Sequence, residues 1–326
     1  MPRTLLPILI LVLCCLLWGW SFPTMQVISH AVEVHTIGHA EPTVVETLAS
    51  RALINGIRFL LAGLLYLAIT ARYQHGFCRA DVVGGLAVGV FFGGGMLLQI
   101  LGIAWVLPSV SGFLTALSVV FAPVAQSLLF RRPVGRTIWL AVAVAIVGMA
   151  LLSWPKPEAA AAFTLAKKPP LPHLGEILTV LGSMIFTAQI LAVDRFGQSA
   201  SPVRLTGVMF FATAGLSLLV ALAAGPSCFR WTTLVAIASD RTVWWTLGTL
   251  VLFSSVVALH LMNKFQPRVS PATASVVYCS EPLFATLFSL AFGAEKLTFL
   301  TILGGAAVLA AVLIVAVKPA ASTTPC

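Results

Sequence analysis

Glu281 is the residue whose type and setting point most directly to chemistry. It stands about eleven residues into an apolar stretch that begins near Ser270. At roughly 1.5 Å rise per residue, a membrane helix there would carry it to the bilayer centre. A carboxylate at that depth is costly and belongs against a cavity or a partner rather than lipid. Two chemistries fit: exchanging a proton in a coupled transport cycle, or contacting a cationic group on a substrate. A structural use, capping backbone groups beside Pro282, stays open.

Uncharged polar side chains recur in the other apolar stretches. They are Ser21 and Gln26, Gln99, Thr115, Ser118 and Gln126, Gln189, His260 and Asn263, and Tyr278. Each alone can serve as glue between helices. Together they would give a mostly apolar cavity with a few polar groups, the usual make-up of a small-molecule site. Trp18 offers a wall for an aromatic or cationic ligand, or plain packing against lipid. The candidate substrate-binding set is Trp18, Ser21, Gln26, Gln99, Thr115, Ser118, Gln189, His260, Tyr278 and Glu281, with Glu281 the coupling candidate. Arg58 also falls near mid-depth and can snorkel, pair with a carbonyl or acid, or meet substrate. Arg51 is expected at the interface.

Other chemistries lack their residues. There is no GxxxxGK[ST] loop, no HExxH pair and no GxSxG elbow, and the six histidines are scattered. The expectation is therefore no enzyme, no cofactor, no metal site and no ATPase subunit. Cys14, Cys15, Cys78, Cys228, Cys279 and Cys326 form no CxxC pair and read as small buried hydrophobes.

The elements that must position these residues are membrane helices. Of 326 residues, 59% are hydrophobic and 9% charged, against roughly 45–50% and 25% in a soluble protein. The mean hydropathy is +1.02. So few charges cannot cover a soluble surface, which excludes a soluble enzyme, a disordered chain and a secreted disulfide scaffold. Ten apolar runs are long enough to span: 5–28, 44–71, 82–104, 109–130, 135–154, 174–194, 203–224, 243–263, 270–293 and 299–317. Alternating segments of the kind a barrel needs are missing. Ser29-His30-Ala31 resembles a signal cleavage site, but the run before it is too long for a signal core and contains Pro23, so an uncleaved helix is expected.

The net charge of +9 comes from basic residues placed singly between the runs. They act as topology signals, not as a nucleic-acid surface. With the N-terminus inside, Arg3, Arg72, Arg79, Arg131, Arg132, Arg136, Arg195, Arg204, Lys264, Arg268 and Lys318 are cytoplasmic. Only Lys156, Lys167, Lys168, Arg230, Arg241 and Lys296 are then outside, so both termini are expected in the cytoplasm. Trp105, Trp154, Trp231, Trp244 and Trp245 fall near helix ends as interfacial anchors.

Residues 155–172 are rich in Pro and Ala and divide the chain into units 1–154 and 173–318, with a tail at 319–326. The units match in order. Leu107-Pro108-Ser109-Val110-Ser111 aligns with Gln266-Pro267-Arg268-Val269-Ser270, and Ala122-Pro123 with Glu281-Pro282. Gly19, Thr24 and Gln26 align with Gly182, Thr187 and Gln189 at a slightly larger offset. A tandem duplication of five spans inverts the second copy, as in many transporters. The predicted fold is thus an all-α polytopic membrane protein of ten transmembrane helices in two inverted five-helix repeats. Pro23, Pro123 and Pro282 should kink or interrupt their helices. Gly85, Gly89 and Gly93 should let one helix approach another closely.

Several stretches resemble the EamA-type proteins of the drug/metabolite transporter superfamily. They are Leu17-Trp18-Gly19 with Ser21-Phe22, Arg58-Phe59-Leu60-Leu61-Ala62-Gly63, the run from Ser111 to Val120, and Arg131-Arg132-Pro133. In the second unit they are Arg268-Val269-Ser270-Pro271, Glu281-Pro282-Leu283-Phe284-Ala285 and Glu295-Lys296-Leu297. The set is specific for the family and not for a substrate. The resemblance implies a central cavity lined mainly by helices 1, 3, 4, 6, 8 and 9, with helices 5 and 10 packed away from it.

The reading is a secondary transporter, exporting a small metabolite such as an amino acid or amphipathic compound across the bacterial inner membrane. Its partners would be a small-molecule substrate and the lipid bilayer, and the chain would be a monomer or weak homodimer. Alternatives are a lipid-head-group flippase and a non-transporting membrane receptor or assembly protein.

Overall fold

The computed structural model describes residues 5–37, 43–106, 108–154, 172–291 and 296–317. The C-terminal tail, almost all of the expected linker, Cys326, Arg3, Lys156, Lys167, Lys168 and Lys318 lie outside them. So does Glu295, of the last resembling stretch.

The apolar runs fold as helices because lipid offers no partner for a free backbone N–H or C=O. We number the spans α1 Leu5–Thr36, α2 Val44–Tyr73, α3 Arg79–Gly102, α4 Val110–Leu129, α5 Arg136–Leu152, α6 Leu174–Gly197, α7 Pro202–Ala224, α8 Arg241–Arg268, α9 Pro271–Ala291 and α10 Phe299–Val317. Nine are long and apolar enough to cross a bilayer, and the 17-residue α5 sits at the lower limit. Local chemistry sets their starts. Thr43 and Glu46 form a capping box before α2, and Asp240 and Ser270 accept backbone N–H groups before α8 and α9. Trp154, Trp231, Trp244 and Trp245 are exposed at helix ends. The cysteine expectation needs one correction. Cys14, Cys15, Cys228 and Cys279 are buried, but Cys78 is exposed, because it caps α3 at a loop instead of lying within a helix.

The helices pack in a two-fold pattern. α2 lies along α7, α5 along α10, and α4 against α9, so each meets its counterpart five spans on. The other contacts occur in exchanged pairs: α3 on α6 mirrors α1 on α8, and α1 on α9 mirrors α4 on α6. Glycine permits the closest approach. A Cβ on Gly89 would lie 2.7 Å from the Ala212 Cβ and 2.7 Å from the Met209 carbonyl, so α3 and α7 touch backbone to backbone there.

The hydrophobic core is two bodies. One is built mainly from α2, α3, α7 and α8. The other comes from α4, α5, α9 and α10, with the start of α1. Each body therefore takes helices from both sequence halves. α1 runs along both, and its register continues through Pro23. Around that proline the Ser21 and Thr24 hydroxyls donate to the Trp18 and Trp20 carbonyls at 2.7 and 2.8 Å.

Three spans are irregular. α4 loosens at Ala116 and Leu117, where the Val119 and Val120 amides reach back only three residues. α9 breaks at Cys279. Pro123 and Pro282 follow these breaks at equivalent places, each removing an N–H and crowding the preceding turn. α8 contains a π-helical stretch, Leu250–Val257, a rare geometry often found at functional sites.

Candidate functional site

Between the two bodies lies a cavity of about 300 Å³, the lower end of the roughly 300–1,000 Å³ usual for small-molecule sites. It is lined from α1, α2, α3, α4, α6, α8 and α9, and neither α5 nor α10 contributes. The two broken helices form its wall through Thr115, Ala116 and Ser118 on one side and Tyr278, Glu281 and Pro282 on the other. Irregular backbone at membrane depth is tolerable where it borders a cavity.

Nine of the ten sequence candidates line this one space: Trp18, Ser21, Gln26, Gln99, Thr115, Ser118, Gln189, Tyr278 and Glu281. Trp18 meets Tyr278 edge-on with ring centroids 5.5 Å apart. The Trp18 indole N–H donates to the Ser254 carbonyl at 3.1 Å, and the Ser254 hydroxyl donates back to the Leu17 carbonyl at 2.8 Å, so the π-helical stretch grips α1. Gln99 donates to the Thr115 hydroxyl at 2.9 Å, joining α3 to α4. The Tyr278 hydroxyl donates to Gln266 Oε1 at 2.7 Å, and the Gln266 amide donates to the Ile190 carbonyl at 2.8 Å. Glu281 sits midway along α9 with no ion-pair partner among the described residues.

His260 does not line the cavity. Its Nδ1 lies 2.8 Å from the Tyr66 hydroxyl, on the α2 side of α8. Met262 is the α8 residue at the lumen. Two residues of helix rotate a side chain by about 200°, so His260 faces the other way. Gln126 and Asn263 also turn elsewhere. Gln126 accepts from the Ala272 amide at 3.1 Å, and Asn263 donates to the Thr206 hydroxyl at 3.0 Å.

The sequence reading left Glu33 and His30 out of the site. α1 continues to Thr36, past the expected end near residue 28, and carries both into the cavity wall. Arg51, expected at the interface, also lines the cavity. Its Nε donates to Glu33 at 2.8 Å and its Nη1 to the Ile100 carbonyl at 2.6 Å. A signal for Glu33 was available, since Trp18, Phe22, Met25, Ser29 and Glu33 recur at the three-to-four spacing of one helix face. Arg58 lines the same space.

The cavity is asymmetric along the helices. Its lining runs from mid-depth to the end bearing Glu33, Arg51 and Ala104. At the opposite end ion pairs join the helices. There Arg132, just after α4, bonds Asp194 on α6 at 3.0 Å. Arg131 takes a left-handed φ of 51° that turns the chain before that contact. Asp81 joins α3 to α7 nearby, accepting from Arg204 at 2.6 Å and from the Ser201 amide at 2.7 Å. No cluster of three or more His, Cys, Asp or Glu suited to a metal occurs among the described residues.

The EamA-like transporter family model matches residues 43–154 and 173–317. The chain is 26% identical over 308 residues to an uncharacterized transporter of Archaeoglobus fulgidus, covering 94% of this chain and 85% of that protein. A protein of known crystal structure, 15% identical, superimposes with a TM-score of 0.67 over 94% of this chain and 95% of its own, a likeness of fold.

Proposed function

The chain belongs to the EamA-like transporter family, and on that premise we propose that it is a secondary exporter of a small amphipathic metabolite. The observation that carries this is the mid-depth cavity, open toward one end and closed at the other by contacts between the two apolar bodies. Alternating access follows if the bodies rock about that space, breaking Arg132–Asp194 as the far end closes. The moving units are then the two packed bodies and not the two sequence halves. Basic residues favour the Arg132–Asp194 end as cytoplasmic, which makes this arrangement outward-facing, with both termini on the cytoplasmic side of the bacterial inner membrane. Glu281, lacking an ion-pair partner among the described residues, is the proton-coupling group or the seat of a cationic substrate group. The lining of Trp18, Phe22, Phe92 and Phe186 with a few amides and hydroxyls suits an amphipathic molecule.

The test begins with a thermal-shift screen of amino acids, polyamines, nucleosides, sugars and cationic drugs on the purified protein. Ligand at ~100 times Kd stabilises by about 2.7 kcal/mol. Compounds that bind are then followed in proteoliposomes across a range of pH. Flux that loses its pH dependence in Glu281→Gln supports coupling, and an unchanged pH profile sinks the coupling role. Binding without flux sinks the transporter reading in favour of a receptor.

A further inference from the structure

Arg58 is a buried cation that no carboxylate among the described residues pairs with. The residue is 3% exposed, midway along α2, and it borders the cavity. No carboxylate lies within ion-pair distance of it among the described residues. Its Nε donates to the Ser255 hydroxyl at 2.9 Å, its Nη1 approaches the Met25 sulfur at 3.6 Å, and its guanidinium lies 5.0 Å from the Phe59 ring centroid. A guanidinium has five N–H donors, so about three are left without a partner among the described residues. Among the described residues the buried polar atoms that lack a partner are Asn55 Oδ1, Ser111 Oγ and Asn263 Oδ1, with none from Arg58. The free edge of the guanidinium therefore reaches the lumen.

Isolating a charge in this way is expensive unless something returns to neutralise it. The cavity's second arginine shows the contrast: Arg51 is already satisfied by Glu33 and the Ile100 carbonyl. The partly occupied guanidinium keeps the planar fork that matches a carboxylate. Ser255 belongs to the π-helical stretch of α8, so that irregularity places the hydroxyl which orients Arg58.

Resting on the transporter reading above, we propose that Arg58 is a substrate-binding residue that receives a carboxylate, making carboxylate-bearing small molecules the substrate class. Ser255 is a positioning residue that holds the fork toward the lumen. Glu281, across the same space, meets the cationic end of a zwitterion.

The test uses matched triplets on the full chain in nanodiscs: an amino acid, its amide, and its decarboxylated amine, taken across aromatic, aliphatic and polar side chains. The acid of at least one triplet should raise the melting temperature at a concentration at least ten-fold below that of its partners. Arg58→Gln should weaken acid binding by roughly ten- to a hundred-fold, as loss of a charge-assisted pair does, and level the triplet. Arg58→Lys should keep part of the preference. Ser255→Ala should narrow the ratio of acid to amide affinity, and Ser255→Thr should restore it. An amide or amine that stabilises as well as its acid overturns the assignment, as does a wild type that responds to no acid. Both results come from the wild type, so they stand even if Arg58→Gln does not fold. Proteoliposome flux of the same triplets separates the two readings. Flux without acid preference removes the Arg58 role and leaves the transporter, whereas acid-selective binding without flux does the reverse.

Discussion

Removing Arg132 should open the closed end of the cavity. Asp194 is almost fully buried, with 5% of its side chain exposed, while Arg132 is 43% exposed at 3.0 Å from it. The pair falls between two limits. Exposed pairs contribute about 0.2–1 kcal/mol, and removing one partner of a buried pair costs about 3–5 kcal/mol. One side is buried and the other half in water, so we expect about 2 kcal/mol. The contact joins a loop of the α4, α5, α9, α10 body to α6, which packs against the other body, so this energy favours the closed arrangement. At ~1.4 kcal/mol per decade, Arg132→Gln should raise the population open at that end about thirty-fold. The assay is maleimide labelling of a single cysteine placed at Ile190. That residue is buried at the cavity floor, one helical turn from Asp194. Labelling from the closed end should rise by that factor in Arg132→Gln and in Asp194→Asn, and the double variant should add little more. Unchanged labelling in Arg132→Gln, or two effects that simply add, would refute the latch.

Two further predictions concern packing and pH. Gly89→Ala pushes a methyl against the Met209 carbonyl and Ala212 and should destabilise the α3–α7 contact by about 1–3 kcal/mol. In Gly94→Ala the new methyl finds its nearest neighbour at 3.7 Å, so that variant should melt no lower than wild type. At the open end, Asp240 accepts from His35 at 3.1 Å and from the Thr242 amide at 2.8 Å. The His35 contact first, and the amide second, hold its carboxyl below the ordinary carboxylate range. A depressed carboxylate stabilises the fold above its unfolded value, ~3.9, and loses that contribution as pH falls through the folded value. Asp240→Asn should therefore melt below wild type near pH 6, with the gap closing in acid. A gap that persists at the lowest pH would contradict this.

The sequence alone determined the class of molecule and named many of the residues that line the cavity. Fifty-nine per cent hydrophobic residues with nine per cent charged leave no soluble fold, and run lengths set the spans because a bilayer has one thickness. Polar residues in apolar runs are costly, so Trp18, Ser21, Gln26, Gln99, Thr115, Ser118, Gln189, Tyr278 and Glu281 could be singled out before any contact was known, and they share one cavity. The limit of that logic is that depth says nothing of direction around a helix. His260 and Met262 lie two residues apart, yet only the second faces the lumen.

What tertiary structure decided depends on partners far away along the chain. Glu33 and Arg51 became cavity residues because α1 outran its expected end and put a carboxylate beside the arginine. Arg58 is oriented by Ser255, 197 positions on, through a π-helical stretch with no local signature. The division into two apolar bodies is also invisible in sequence. The family model matches residues 43–154 and 173–317 separately, but apolar burial joins α2 and α3 to α7 and α8, and α4 and α5 to α9 and α10. Packing follows from which faces can approach closely, and glycines such as Gly89 decided that for helices from opposite halves.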